Sequence, residues 1–448
     1  MKQILWFRRD LRIEDNAILS NSTNEVLPIF IFDINILNKL SKDDKRVTFI
    51  YQTLLNLQNR LKKIDLDLYI FYGDPLDILK KLVNTYNINE ILSSCDFDEY
   101  SIKRDTEISS IIKMNKFYDS FILHPNDGLK KDNTPYKVFT PFYKSQDYIH
   151  SSSEIKEYKI QNNLKLIKLD NHKNILLDDM KFIKQKLPDF LYKSININLK
   201  DFISKLEKYS INRDFFNINA TSQLSIYLRF GLISPRQIFN IIKKLNIEYK
   251  YKESYIRQLF WREFYTYLLY HFPKSEFENF NNLKIDYSNN IEHFKKWCEG
   301  NTGIPIIDAS MQYLNKTGLM HNRLRMIVSS FLTKNLFINW KLGEKYFASK
   351  LLDYEASSNI GSWQWAASTG ADSVPYFRVF NPYTQSKKFD KDAIFIKSVI
   401  KKLENIDPKL IHKEYGLKDN LFINYPKPIV DISISRNLAI QTFKNAKN

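Results

Sequence analysis

The chain has 448 residues, 44% of them hydrophobic and 15% aromatic, with only 10 Gly and 14 Pro; this excludes disordered and collagen-like classes and leaves room for two packed domains. Lys and Arg number 67 against 50 acidic residues, a formal net charge of +17, which favours a polyanionic partner met through phosphate contacts. Two cysteines, Cys95 and Cys298, exclude a four-cysteine zinc or iron–sulfur site and a disulfide framework.

The seven histidines form no His-x-x-x-His pair, so no metal held by the protein is expected. No apolar run reaches membrane-spanning length, and Met1–Ile18, with Arg8, Arg9, Asp10 and Arg12, lacks a signal-peptide core. The expectation is a cytoplasmic monomer (nucleoid-associated in a bacterium) without a membrane partner.

The first third alternates short apolar runs with helical patterns. Gln3–Trp6, Val26–Phe32, Leu66–Phe71 and Glu90–Leu92 read as buried strands. Arg46–Lys62, Leu76–Asn84 and Ile102–Lys113 read as helices. Asp74-Pro75 suits a helix entry, because Asp accepts from exposed N–H groups and Pro fits the first helical position. The alternation predicts an α/β N-terminal domain with a parallel, Rossmann-like sheet. Its first turn lacks Gly-x-Gly-x-x-Gly, so a nicotinamide site is not supported.

Pro125–Ser194 is polar and Lys-rich and reads as a long surface connection with some helix. From Asn196 the strand signal stops, and Pro235–Lys244, Glu253–Tyr270, Ile304–Asn315 and Asn322–Leu336 read as helices. The expected division is 1–124, 125–195 and 196–448, the last an all-α domain of about 250 residues.

A set of ordered motifs spans nearly the whole chain: Trp6-Phe-Arg-Arg-Asp-Leu-Arg12, Tyr136-Lys-Val-Phe-Thr-Pro-Phe142, Thr221-Ser-Gln-Leu-Ser225, Trp261-Arg-Glu-Phe264, Gly303-Ile-Pro-Ile-Ile-Asp308, Met320-His-Asn-Arg-Leu-Arg-Met326 and Trp363-Gln-Trp-Ala-Ala-Ser-Thr-Gly370. Together they resemble the photolyase/cryptochrome family, most closely its class I cyclobutane pyrimidine dimer photolyases. The resemblance implies an antenna domain, a linker, and a helical domain holding FAD. Reduced, photoexcited FADH⁻ would lend one electron to a dimer in UV-damaged DNA, and the protein would supply binding, orientation and electrostatics.

Hydroxyls at a helix start hold either N–H groups or phosphate. The resemblance assigns Thr221, Ser222, Gln223, Leu224 and Ser225 to the FAD pyrophosphate, with Tyr209 also on the cofactor. Gln258, Trp261, Arg262 and Tyr265 recur at helical spacing, so one face carries an amide, an aromatic and a guanidinium. By spacing alone such a stripe is usually core. The resemblance makes it the cavity wall, with Trp261 and Trp365 packing on an extruded dimer and Arg262 reaching the cofactor.

Asn322, Arg325 and Met326 share a face, and Arg325 can pair with Asp353. In family members acting on 6-4 photoproducts, the positions matching Asn322 and Met326 are histidines, so their identity here favours cyclobutane dimers. Asn359 takes the place beside flavin N5, and Glu355 stands where the family has a second Asp. Arg213, Arg323 and Gln385 are candidates for the DNA backbone, while Lys387 reads as surface charge.

Besides Glu355, three positions depart from the family pattern. Gln258 stands where dimer repairers carry Glu, so it can donate N–H but cannot move a proton. Trp363 and Trp340 match the inner members of an electron relay, but Tyr287 occupies the outermost place. Ser101 stands where folate binders carry an acid, so the identity or presence of an antenna chromophore stays open. The alternatives are a signalling cryptochrome and a 6-4 photolyase; the end of the chain soon after Tyr425-Pro-Lys-Pro-Ile-Val430 is as in photolyases.

Overall fold

The computed structural model describes residues 1–418 and 423–446. By compactness the chain divides into two units: Met1–Pro135, Phe142–Lys200 and Ser222–Tyr270 in the first, Tyr136–Pro141, Asp201–Thr221 and His271–Asn448 in the second. This division cuts across the boundary read at residue 195, and the reason lies within the first unit.

That unit is built on strands β1 (Lys2–Phe7), β2 (Glu25–Asp33), β3 (Tyr69–Gly73), β4 (Glu90–Ser94) and β5 (Met114–Phe117), in the order β3-β2-β1-β4-β5 and parallel throughout. Helices α1 (Lys45–Lys62), α2 (Pro75–Tyr86) and α3 (Glu99–Ser109) alternate with them. Sheet and helices share a core that includes Ile4, Trp6, Ile29, Leu79, Ile91 and Ile108. Four strands and three helices stand where the sequence pattern puts them, within a few residues.

Two strands do not announce themselves. β5, Met-Asn-Lys-Phe, is a half-buried edge strand with no apolar run. β6 (Lys165–Leu166) pairs with the start of β2 from inside the polar connection. Pro28 lies in β2 between the residues paired to β6 (Glu25, Val26) and those paired to β3 (from Ile29), so its missing N–H falls where that edge has no strand partner. Asp74 caps α2 as expected, accepting from Leu76 N at 2.8 Å.

Helices α4 (Pro235–Lys244) and α5 (Tyr249–His271) belong to this unit because buried charges tie them to the sheet. Arg236, in the first turn of α4, bonds Asp15 at 2.9 Å and the carbonyls of Asp119 and Phe121 at 2.9 and 2.8 Å. Arg12 in turn pairs with Asp119. On α5, Glu263 accepts from Ile122 N and Leu123 N at 3.1 and 3.2 Å. Gly231, at φ 67°, lets the preceding turn press on Arg9; a Cβ there would lie 2.0 Å from the Arg9 carbonyl oxygen.

The described part of the second unit is helical: α6 (Ile291–Glu299), α7 (Pro305–Thr317), α8 (Asn322–Ser330), α9 (Trp340–Lys350), α10 (Ala356–Ala367), α11 (Pro382–Phe389) and α12 (Ile432–Asn445) are its main elements. The helix expected over Asn322–Leu336 ends as α at Ser330 and continues as a π-turn, Phe331–Asn335. The core runs through Trp297, Ile307, Met311, Leu332, Trp340, Phe347 and Trp363. Asp308 sits beneath the Gly303–Asp308 motif, accepting from Thr302 N, Thr302 Oγ1, Gly303 N and Tyr425 Oη at 2.6–3.1 Å. That motif is therefore a structural knot that ties the C-terminal segment down. Among the described residues no helix is long and apolar enough to cross a membrane, and no group of three or more His, Cys, Asp or Glu side chains is placed to hold a metal.

Candidate functional site

In the first unit, α5 presents two faces. Tyr255, Leu259, Phe260, Phe264 and Tyr267 are buried, whereas Gln258, Trp261, Arg262 and Tyr265 form a half-buried face. The aromatic stripe that spacing alone would assign to the core is thus distinct from the core. Trp261 leans on Tyr265 and Phe264, with ring centroids 5.6 and 5.9 Å apart. Gln258 makes one long bond, 3.4 Å, to the Ser254 carbonyl one turn back. Arg262 donates to the Ser120 carbonyl at 2.6 Å and lies 4.7 Å from the Phe121 ring centroid, so its orientation is set by the sheet side of this unit.

Ser222–Ser225 lead into a helix of 5 residues, Ser225–Arg229, whose cap position is Leu224 with no side-chain capping bond. Ser222 Oγ accepts from Tyr255 Oη at 3.0 Å and, at the helix start, from Leu224 N at 3.4 Å, and Gln223 takes a left-handed φ of 53°. Ser101 is a local partner of the α3 cap, its hydroxyl donating to Asp98 at 2.9 Å.

In the second unit, α8 carries Asn322, Arg323, Arg325 and Met326. Its cap is His321, whose Nδ1 accepts from Arg323 N at 3.1 Å; burial lowers the imidazole from 6.5 to about 4, so the ring is neutral at pH 7. Asn322 Nδ2 lies 3.7 Å from Met326 Sδ, so the amide and the thioether form one adaptable patch. Arg325 is clamped: Nη2 reaches both oxygens of Asp353 at 3.0 and 2.8 Å, and Nε donates to the Met320 carbonyl at 2.9 Å. Arg323 pairs with Asp214 at 2.8 Å and covers the Phe389 ring at 4.6 Å, so its charge already has a carboxylate partner. Arg213 lies 5.8 Å from the ring of buried Tyr209. Thr221, Trp365 and Gln385 are half-buried, the last on α11.

On α10, buried Asn359 donates through Nδ2 to the backbone carbonyl and the carboxylate of Glu344, at 3.2 and 2.9 Å. This fixes the amide so that its carbonyl oxygen is the end that can accept. Burial raises the Glu344 carboxyl above its usual range. Glu355 occupies the cap position of α10 without a side-chain capping bond, and it is buried. Trp363, one turn beyond Asn359, is packed against Phe347 and Trp297 at 5.0 and 6.0 Å.

Gly343 is what admits the Trp363 ring: a Cβ there would lie 2.2 Å from it. Trp340 shares a face of α9 with Gly343 and donates its indole N–H to Asn279 Oδ1 at 2.8 Å. Tyr287 packs on Phe337 at 5.4 Å, and its hydroxyl is buried with no hydrogen-bond partner among the described residues.

Sequence reasoning missed Glu344, Gly343 and Asn279. None carries a motif of its own; each matters only through the side chain that folding sets against it.

These geometries belong to a recognisable class. Residues 3–159 match the family model described as DNA photolyase, and residues 255–445 the model described as the FAD-binding domain of DNA photolyase. A deoxyribodipyrimidine photo-lyase of Buchnera aphidicola is 36% identical over 100% of this chain and 97% of its own length. The photo-lyase of Vibrio cholerae is 32% identical over 99% of this chain and 100% of its own. Among solved structures, a class III photolyase from Agrobacterium tumefaciens superposes with a TM-score of 0.87 at 31% identity, over 100% of this chain and 98% of that one. An archaeal photolyase from Sulfolobus tokodaii, solved with two FAD molecules, gives 0.84 at 32% identity, covering 99% and 100%. The chain belongs to the photolyase/cryptochrome family.

Proposed function

We propose that this chain is a deoxyribodipyrimidine photo-lyase, an FAD enzyme that repairs cyclobutane pyrimidine dimers in UV-damaged DNA in the light. The observation that carries the choice of lesion is the Asn322–Met326 patch on α8. Neither side chain can exchange a proton at neutral pH, as 6-4 chemistry would require, but an amide can bond a thymine edge and a thioether can fill an irregular apolar gap.

The residues present fit FAD. Asn359 is oriented by Glu344 with an accepting oxygen, the place of an N–H such as that of a reduced flavin ring. Arg325 and Asp353 form a rigid charged pair able to face polar atoms of the ring, and buried Tyr209 offers a flat wall. Thr221, Ser222, Gln223, Leu224 and Ser225 would supply hydroxyls and backbone N–H groups for the pyrophosphate, and Glu355, at the start of α10, stands where the family has a second Asp.

When bound, reduced and excited by light, FAD supplies the electron that splits the cyclobutane ring and takes it back afterwards. This chain's residues do the rest. Trp261 and Trp365 offer π faces on which an extruded dimer can re-stack, offsetting the few kcal/mol that unstacking costs; photolyases are among the base flippers for which that cost is known. Gln258 can donate an N–H to a base carbonyl but holds no transferable proton. Arg213, Gln385 and Arg323, once released from Asp214, would meet the phosphate backbone, and the net charge of +17 favours that approach. Trp363 and Trp340 would relay electrons when the cofactor must be reduced.

The test is purification followed by a flavin absorption spectrum and light-dependent repair of oligonucleotides carrying either lesion. A flavin spectrum with cyclobutane dimer repair is expected. A colourless protein that cannot take up FAD overturns the proposal. Repair of 6-4 lesions alone would move the assignment to the class that Gln258 resembles, and binding without repair would point to a cryptochrome.

A further inference from the structure

Two arginines on α8 are held very differently. Arg325 is fixed by three hydrogen bonds, to both oxygens of Asp353 and to the Met320 carbonyl. Arg323 has one ion contact, Nη2 to Asp214 Oδ2 at 2.8 Å, and its buried Nε finds no hydrogen-bond partner among the described residues. Its guanidinium lies 4.6 Å from the centroid of the Phe389 ring, and the Lys388 ammonium lies 5.2 Å from the same ring. Both members of the Arg323–Asp214 pair reach solvent, at 17% and 34% side-chain exposure.

Asp214 itself is pinned. Arg213 N donates to the Tyr209 carbonyl at 2.9 Å and Phe215 N to the Asn212 carbonyl at 3.0 Å, so the backbone is held on either side of it. Phe215 packs on Phe389 at 5.8 Å, and Phe216 on His321 and Phe395 at 6.2 and 5.4 Å. The first turn of α8 has no acidic residue of its own, and the positive end of a helix favours an anion. The fold thus supplies one from outside the helix and keeps it there.

We propose that Asp214 is an internal counter-ion of Arg323: it competes with DNA phosphate for the guanidinium and sets how fast repaired DNA leaves. This rests on the photolyase reading, with Arg323 as a backbone contact. On binding, Arg323 turns from carboxylate to phosphate, which its unclamped Nε permits, and the pinned carboxylate remains beside them. It stays well inside the screening length of about 8–10 Å, so the phosphate feels it. One positive charge then faces two negative ones, and this contact releases almost no condensed cation from the DNA. A phosphate contact carries no sequence or lesion information. Asp214 therefore lowers affinity for damaged, repaired and undamaged DNA alike. The exchange happens in contact, after encounter, so it is felt mainly in dissociation.

The experiment uses the flavin-loaded protein in the dark, with fluorescently labelled duplexes that are undamaged or carry one cyclobutane dimer. Affinity is read by anisotropy from about 50 to 200 mM KCl, the range in which phosphate contacts show their salt dependence. Asp214→Asn should bind both duplexes severalfold more tightly at the low end. Its slope of log K against log salt should be steeper by about 0.9, the signature of one phosphate newly neutralised. In a stopped-flow chase, repaired duplex should leave the variant severalfold more slowly.

Glu292→Gln removes one negative charge from an exposed position on α6 and should leave the slope as it was. Weaker binding or an unchanged slope in Asp214→Asn overturns the proposal, because Asp214 would then only aim Arg323. Equal steepening in Glu292→Gln overturns it too, since net charge alone would suffice. Arg323→Gln should weaken binding to both duplexes severalfold. Undiminished binding there would instead sink the phosphate contact on which the proposal rests.

Discussion

Both units bury polar groups, but at the candidate site of the second unit one of them is left half-satisfied. Around the carboxyl edge of β1 in the first unit, charges are matched to one another: Arg12 with Asp119, Arg236 with Asp15 and Asp119, and Arg9 with Asp96. In the second unit Asp308 is closed in the same way, but one buried amide of the candidate site is held by one end only. Asn359 is gripped through Nδ2 by Glu344 and presents its carbonyl oxygen. The comparison teaches that burial of polarity by itself does not mark a functional site. A closed network fixes a fold, whereas a half-satisfied, oriented group is available to a ligand or a redox-active ring.

The sharpest way to break the contrast is to open the closed network. Arg236→Met leaves Asp15 and part of Asp119 uncompensated, and removing one partner of a buried pair costs about 3–5 kcal/mol. Urea unfolding followed by circular dichroism should show that loss. A change below about 1 kcal/mol would mean the network is not what holds α4 to the sheet.

The next effect lies in the second unit and depends on pH. His321 has its folded pKa lowered from 6.5 to about 4 by burial. The unfolded chain therefore binds a proton that the folded chain refuses. Stability is full above 6.5, falls as the pH drops from 6.5 towards 4, and then levels, a total of about 3 kcal/mol at most. His321→Asn retains an acceptor for the α8 cap and should flatten that part of the stability profile. A profile as steep as before would remove His321 as its cause.

A smaller effect tests the aromatic packing. Gly343→Ala drives a methyl group into the Trp363 ring, and overpacking of this kind costs about 1–3 kcal/mol. A lowered melting temperature together with altered Trp363 fluorescence is expected; an unchanged melting temperature would show that α9 and α10 can separate freely.

The smallest effect concerns the open face of α5. Gln258→Glu provides a carboxyl group that can donate a proton as the bound dimer gains negative charge, and the repair quantum yield should rise modestly. An equal or lower yield would show that the amide is already the better group at this position.

Much of this was legible before folding was considered. The strands with continuous apolar runs, the Asp74-Pro75 helix entry and the Pro235–Lys244 helix follow from periodicity and capping chemistry. β5 and β6 were not legible, because a short edge strand gains its partners from the sheet and not from its own hydrophobicity. The site motifs named their residues but not their tasks. Gly303–Asp308 proved to be a structural knot, and Arg262 is aimed by Ser120 and Phe121.

What the sequence determined by itself is therefore the class of chain and the inventory of its chemistry: an α/β half, a helical half, and an ordered set of aromatic, amide and guanidinium side chains. Those follow from local pattern, which each stretch carries within its own neighbours. Only the tertiary structure decided which end of an amide points outward, which phenol lacks a proton acceptor and which glycine makes room for an indole. Each of these depends on a partner many residues away, and periodicity cannot encode where a distant side chain will come to rest.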